Sequence, residues 1–141
     1  HRRLFDFWGR AARWHIAEEM ALLERVGMAS QADRLCGVLA YGDLKRVELA
    51  MALASEPRLL LMDEPTAGMS RADTNNTIDL LQRVGHGKVT KVIIEHDMHV
   101  VFSLASRISV LAQGTVIAEG DPQAIKGDER VKEAYLGGAH L

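Results

Sequence analysis

Several things this sequence lacks narrow its reading. A single cysteine, Cys36, among 141 residues excludes an internal disulfide and fits a reducing compartment. Its apolar neighbours make it a packing residue before a chemical one. Neither sign of charge dominates: 17 Lys and Arg stand against 19 Asp and Glu, a formal net charge of −2. No basic field is present to attract nucleic acid or an anionic membrane surface. No apolar run approaches the roughly 20 residues that span a bilayer, and no signal-peptide pattern opens the chain. Also missing is Gly-x-x-x-x-Gly-Lys-Ser/Thr, the loop that wraps phosphates in backbone amides. Its nearest imitation, Gly85-His86-Gly87-Lys88-Val89-Thr90, would place the first glycine on Gln82 and Val89 where a hydroxyl belongs. It follows a helical pattern and precedes a strand, the reverse of the order a phosphate loop needs, and reads as a helix-ending loop. No internal repeat or low-complexity tract appears.

What is present suffices for one domain's core, with 48% hydrophobic residues. Residues 1–56 read as helical. Ala12, Ile16, Met20, Leu23 and Val26 recur at spacings of four and three, and Gly27 closes that helix. A second helix runs from about Asp43 with Leu44, Val47, Met51 and Ala54 on one stripe, and stops before Glu56-Pro57. Leu4, Phe5, Phe7 and Trp8 make an aromatic opening, read as packing ahead of a partner surface. Residues 57–141 alternate. Leu59-Leu60-Leu61-Met62 suits a strand buried on both faces, as in a parallel sheet covered by helices. Ser70-x-x-Asp73 has capping-box spacing before a helix with Ile78, Leu81 and Val84 inward. A strand from Val89 to Ile94 follows, then a helix with Met98, Val101, Phe102 and Ala105 on one face. Ile108–Ala112 and Thr115–Ala118, joined through Gln113-Gly114, predict a hairpin, and Asp121-Pro122 opens a last helix. Strand–helix alternation indicates an α/β fold with parallel pairing, finished by an antiparallel pair.

The apolar run of the first strand ends in Asp63-Glu64. Ionised carboxylates are costly inside a covered sheet, so the pair belongs at its carboxyl edge, where open α/β sheets bind ligands. An Asp there can hold Mg²⁺ on a nucleotide, and a Glu beside it can polarise a water. Polarity at a strand end is the plain alternative.

Three ordered motifs go further: Leu39-Ala40-Tyr41-Gly42-Asp43, then Leu59-Leu60-Leu61-Met62-Asp63-Glu64-Pro65, then Ile93-Ile94-Glu95-His96-Asp97. Together they resemble the signature motif, Walker B strand and switch histidine of the ATP-binding subunit of ABC transporters. The resemblance implies a P-loop NTPase of the ABC ATPase type, represented by its carboxyl-terminal part. On that reading 1–56 is the helical subdomain that faces the membrane subunits and carries the signature motif. Residues 57–141 are then the carboxyl-terminal part of the α/β ATPase core, a mainly parallel sheet with flanking helices. The phosphate loop of the family lies well before the signature motif, and residue 1 is His, so the chain reads as part of a longer subunit.

The resemblance also assigns roles. Glu64 would orient and deprotonate the attacking water, Asp63 would bind Mg²⁺ through water, and His96 would sense the γ-phosphate of ATP. A His that merely caps a strand or the following helix is the structural alternative. Phosphoryl transfer asks the protein chiefly for positioning and charge neutralisation. Leu39, Ala40, Tyr41, Gly42 and Asp43 would meet ATP held by a second ATP-binding subunit, identical or not. There Gly42 permits close backbone approach and the following helix presents its free N–H groups. Ala40 and Tyr41 replace the commoner Ser and Gly, which removes one hydroxyl. Ser70 stands where most of the family has Asp or Asn in the loop that touches the partner. Implied partners are that second subunit and transmembrane permeases, with no nucleic acid, and the implied location is peripheral, at the cytoplasmic face of the cell membrane. A zinc site at Glu95, His96, Asp97 and His99 is disfavoured, because the segment is not His-Glu-x-x-His.

Within the family, Ala67-Gly68-Met69-Ser70, Ile94-Glu95-His96-Asp97-Met98 and Ala134-Tyr135-Leu136-Gly137 resemble branched-chain amino acid importers. Urea or short-amide importers share much of the pattern, and lipopolysaccharide-export ATPases share the tail. ABC-type ATPases of DNA repair or chromosome packing would need long heptad coiled coil, which is absent. A non-catalytic module remains the reading from a different class.

Overall fold

The computed structural model describes residues 16–84 and 88–135. The aromatic opening at Leu4–Trp8, Ala12, the glycines of the Gly85–Gly87 stretch and the tail from Leu136 lie outside the described residues. The chain divides into two compact units, one through Ile94 and one from Glu95.

In the first unit, residues 16–25 form helix α1. It ends as Gly27 predicts: φ is +72°, the Gly27 N–H donates to Glu24 O at 3.0 Å and the Met28 N–H to Leu23 O at 2.7 Å. That pair of bonds is the Schellman arrangement, and a left-handed residue completes it best when it lacks a Cβ. Two short 3₁₀ turns, Ala29–Gln31 and Cys36–Val38, lead to α2, Tyr41–Ala54. Strand β1, Leu59–Asp63, is followed by α3, Arg71–Arg83, and by β2, Thr90–Ile94. The capping box is real at its first half: the Ser70 hydroxyl accepts from the Asp73 N–H at 3.2 Å. Asp73 Oδ2 accepts from the Ser70 hydroxyl in return, at 2.6 Å.

β1 and β2 pair in parallel, Leu59 opposite Thr90 through Asp63 opposite Ile94. The core of this unit joins Val26 and Met28 beyond α1, Ala50 and Leu53 of α2, and Leu80 and Val84 at the end of α3. Lys91 leaves β2 to donate from Nζ to the Leu81 carbonyl, one of the last carbonyls of α3 with no partner inside the helix. Partial burial of its stem lowers its pKa by desolvation.

Three expectations need correction. The Leu59–Met62 run is not buried on both faces. Leu60 is 6% exposed, beside a cavity it lines with Leu49, Leu80 and Leu81. Leu59 and Leu61 are 52% and 69% exposed, as are their same-face neighbours Val92 (48%) and Ile94 (62%). Alternation along paired strands sends these four to one face, which no described element of the first unit covers. The stripe expected on α2 holds at Val47, which packs against the core, and turns away at its far end. Ala50 and Leu53 are buried, while Met51 and Ala54 are exposed. One residue is a 100° rotation in a helix, so the small Ala50, and not Met51, meets the core. Ile16 likewise lies on the exposed side of α1.

The second unit contains α4, Met98–Leu104; β3, Ile108–Ala112; β4, Thr115–Gly120; α5, Pro122–Gly127; and α6, Glu129–Tyr135. β3 and β4 form the expected antiparallel hairpin, with Ala112 opposite Thr115 and an irregularity between Val110 and Leu111. Gln113 (φ +49°) and Gly114 (φ +76°) give it the doubly left-handed turn that suits the twist of such strands. Ile108, Val110, Ala118, Ile125 and Val131 form its core, with Val101, Phe102 and Ala105 of the expected α4 face packed against them. Val100, outside that face, is fully buried. Asp121 caps α5 by accepting from the Gln123 and Ala124 N–H groups, with Pro122 in the first turn. The Tyr135 hydroxyl donates to Leu111 O at 2.9 Å, tying α6 to β3.

The two leucines of contrasting burial provide a test. Leu81→Ala removes a side chain that is 1% exposed and lowers unfolding free energy by about 2–5 kcal/mol in urea titrations followed by circular dichroism. Leu61→Ala changes it by less than about 0.5 kcal/mol.

Candidate functional site

Because β1 and β2 run parallel, both carboxyl ends reach the same edge of the sheet. Asp63 is the last residue of β1 and sits opposite Ile94, the last of β2. The ladder extends one bond further: the Glu64 N–H donates to Ile94 O at 2.9 Å. At Glu64 the backbone then turns left-handed, with φ +44°. For a residue with a Cβ that conformation costs roughly 1–3 kcal/mol, and it persists only where the surroundings enforce it. Here two overlapping turns do so. Ala67 N–H donates to Glu64 O at 3.1 Å and Met69 N–H to Thr66 O at 3.2 Å. Thr66 is buried, Gly68 takes φ +72°, and Ser70 then caps α3. Asp63 and Glu64 are both exposed. Asp63 offers a hard oxygen donor at an open edge, which fits an ion such as Mg²⁺ that keeps most of its waters and takes one or two carboxylates.

The 39–43 segment is the second part. Leu39 closes a 3₁₀ turn by donating to Cys36 O, and Ala40 is the N-cap of α2 with an extended backbone and no side-chain cap. The first turn of a 14-residue helix therefore starts here with backbone donors that no hydroxyl satisfies. Gly42 sits close to α3: a Cβ placed on it would stand 4.0 Å from Asp73 Cγ. Ala40, Gly42, Asp43, Arg46, Asp73 and Thr77 line a cavity of about 130 Å³. A second cavity of about 210 Å³ shares Arg46 and Thr77 and reaches Asp63, Met62 and Pro65. Thus the carboxylate edge and the 39–43 segment belong to one unit and border connected walls. Lys45, on that wall, is bound to Glu48 Oε2 at 2.8 Å, which holds its pKa above the ordinary value.

The motifs do not point to Arg46 or Thr77, and they mark Asp73 only as part of a helix cap. The signal for Arg46 is its spacing: four residues after Gly42 puts it on the same face of α2. Nothing in the sequence brings Asp73 or Thr77 to Gly42, since that proximity is made by the packing of α3 on α2.

His96 lies in the second unit, two residues beyond the end of β2, and its side chain is exposed. Asp97 beside it is the N-cap of α4, its Oδ1 accepting from the His99 N–H at 2.8 Å. That occupation explains the Asp without a metal. Among the described residues no group of three His, Cys, Asp or Glu could hold a metal ion.

Comparison with known proteins agrees on one family. The ABC transporter family model matches residues 10–67, and the model described as branched-chain amino acid ATP-binding cassette transporter matches residues 115–141. The high-affinity branched-chain amino acid transport ATP-binding protein LivG of Escherichia coli (strain K12) is 39% identical over 131 residues, covering 92% of this chain and 48% of that protein. BraF of Pseudomonas aeruginosa, described in the same words, is 39% identical over 118 residues, covering 83% and 46%. The chain thus spans about half the length of the curated relatives it matches. Among solved structures, a nucleotide-free ATP-binding cassette from an ABC transporter superposes with TM-score 0.77 at 29% identity, over 85% of this chain and 49% of that one. The ADP conformation of MJ1267, also an ABC transporter cassette, gives 0.77 at 28%, over 86% and 50%.

The cap at Ser70 closes the 64–70 loop, and its worth is measurable. Ser70→Ala lowers stability by about 0.5–2 kcal/mol in urea unfolding, while Ser70→Asn retains most of it.

Proposed function

The chain belongs to the ABC transporter ATP-binding family, and from that premise we propose that it is part of the ATP-hydrolysing subunit of an importer for branched-chain amino acids. One observation carries the mechanism: the parallel register that sets Asp63 opposite Ile94 and turns Glu64 out of the ladder at the edge of the sheet. The solute class rests on the similarity to LivG and BraF and on the family match at residues 115–141.

In this reading, bound ATP with Mg²⁺ supplies the phosphoanhydride and its charge neutralisation. Asp63 holds the ion through water. Glu64 orients a water and takes its proton, with its main chain fixed by bonds to Ile94 and Ala67. His96 contacts the γ-phosphate. Leu39, Ala40, Tyr41, Gly42 and Asp43 serve ATP held by a second ATP-binding subunit, where the uncapped helix start favours anionic phosphate. Permease subunits in the membrane complete the transporter, and the subunit sits peripherally at the cytoplasmic face. No helix among the described residues is long and apolar enough to cross a membrane.

The 141 residues hold the carboxylate edge but no Gly-x-x-x-x-Gly-Lys-Ser/Thr loop. Purified alone with ATP and Mg²⁺, they release no phosphate catalytically; steady multiple turnover that Glu64→Gln abolishes would contradict this. In an intact subunit carrying these residues, Glu64→Gln lowers hydrolysis by about 10²–10⁴-fold and leaves ATP bound in an accumulating dimer. Near-normal turnover in that variant removes Glu64 from the role. Gly42→Asp leaves nucleotide affinity of the intact monomer nearly unchanged, because the segment serves the other subunit's site, while ATP-driven dimerisation and hydrolysis collapse. Paired with a subunit whose phosphate loop is defective, the Gly42→Asp chain regains hydrolysis at its one competent site, which faces an intact partner segment. A verified heterodimer as inactive as the mutant homodimer defeats the cross-subunit role.

A further inference from the structure

Tyr41 is the first residue of α2, and about half of its surface is exposed. Burial in a core therefore does not explain it. Its ring stands beside Gly68: a Cβ built on that glycine would come to van der Waals distance, 3.9 Å, from Tyr41 Cε1. Gly68 sits inside the two overlapping turns that run from Glu64 to Met69, where its backbone takes the left-handed conformation that favours glycine. On the helix side, Lys45 Nζ lies 5.6 Å from the centroid of the Tyr41 ring, within cation–π range, and is itself bound to Glu48. The ring is thus flanked by Lys45 of α2 on one side and by the loop at Gly68 on the other. That loop in turn is tied at Glu64, through Ala67 on one side and Ile94 on the other.

We propose that Tyr41 is a positioning residue whose ring holds the Glu64–Met69 loop against the start of α2. The carboxylate edge and the 39–43 segment then keep one geometry. This deepens the reading of Glu64 and of the 39–43 segment given above and rests on it. In that reading Glu64 serves the nucleotide of its own subunit and the 39–43 segment that of another, so the ring is a mechanical link between two sites.

The test needs no ATP. Amide hydrogen exchange and NMR spectra are recorded on the 141-residue chain as wild type, Tyr41→Ala, Tyr41→Leu and Tyr41→Phe. In the wild type the Gly68 Hα resonances carry a ring-current shift from Tyr41. In the Ala and Leu variants that shift disappears, and the Ala67 and Met69 amides exchange about tenfold faster by local opening. The Val84 amide, bonded to Leu80 O in the core, keeps its protection. Tyr41→Phe retains both the shift and the slow exchange. Unchanged exchange at Ala67 and Met69 in both the Ala and Leu variants overturns the proposal. So does acceleration that extends equally to Val84, which marks general loosening, or failure of Phe to restore the loop. A negative result here leaves the ATPase reading intact, and failure of the Glu64→Gln test leaves this contact standing.

Discussion

The rest of the structure depends on the parallel pairing of two five-residue strands. Parallel strands need a crossover, and α3 supplies it between β1 and β2. The consequence is directional. Both chains leave the sheet at one edge, so the residues after Leu61-Met62 and after Ile93-Ile94 emerge on the same side. A shift of one residue in the register would move Leu60 off the covered face and put Leu61 there. It would also break the Glu64 bond to Ile94 that fixes where the loop begins.

Short-range hydrogen bonding then does what a large core would otherwise do. The 64–70 loop contains one buried residue, Thr66. Its shape comes from two turns, a left-handed glycine and a cap at Ser70. Each such bond contributes only about 0.5–1.5 kcal/mol net, so the strain at Glu64 is offset by several of them acting together. The start of α2 is built the other way. Ala40 gives no cap bond, and the segment lies among close neighbours: Gly42 beside Asp73, Tyr41 beside Gly68. A helix start without a side-chain cap is a cost to stability.

Most elements were legible because their signals are local. Gly27, Ser70, Gln113-Gly114 and Asp121-Pro122 each act within a few residues, and each appears where its turn or cap chemistry puts it. The carboxylates at the strand end were legible for a different reason, since burial forbids charge inside the run that precedes them. What failed were inferences that needed partners distant in sequence. A run such as Leu59-Leu60-Leu61-Met62 states that a strand can be buried on both faces, and only packing states whether it is. The α2 stripe failed because Ala50 and Met51 are both apolar, so periodicity could not choose between them, and the neighbouring Leu53, Leu80 and Val84 could. Asp73 and Thr77 were invisible for the same reason: their closeness to Gly42 is tertiary.

The open face of β1 and β2 bears on how the site is held. Leu59, Leu61, Val92 and Ile94 stand side by side on it, and full burial of such a side chain is worth about 1.5–3 kcal/mol. That stabilisation is largely unrealised among the described residues, so the sheet is anchored from the Leu60 side alone. Lys91 reinforces that side, since its stem lies under α3 and its ammonium closes a carbonyl at the end of that helix. The carboxylate edge is accordingly positioned by α2 and α3 and by the turns that follow Glu64. Rigidity at Glu64 must then come from those turns and from their neighbours, which is why a single aromatic ring beside Gly68 bears on the geometry of the carboxylate edge.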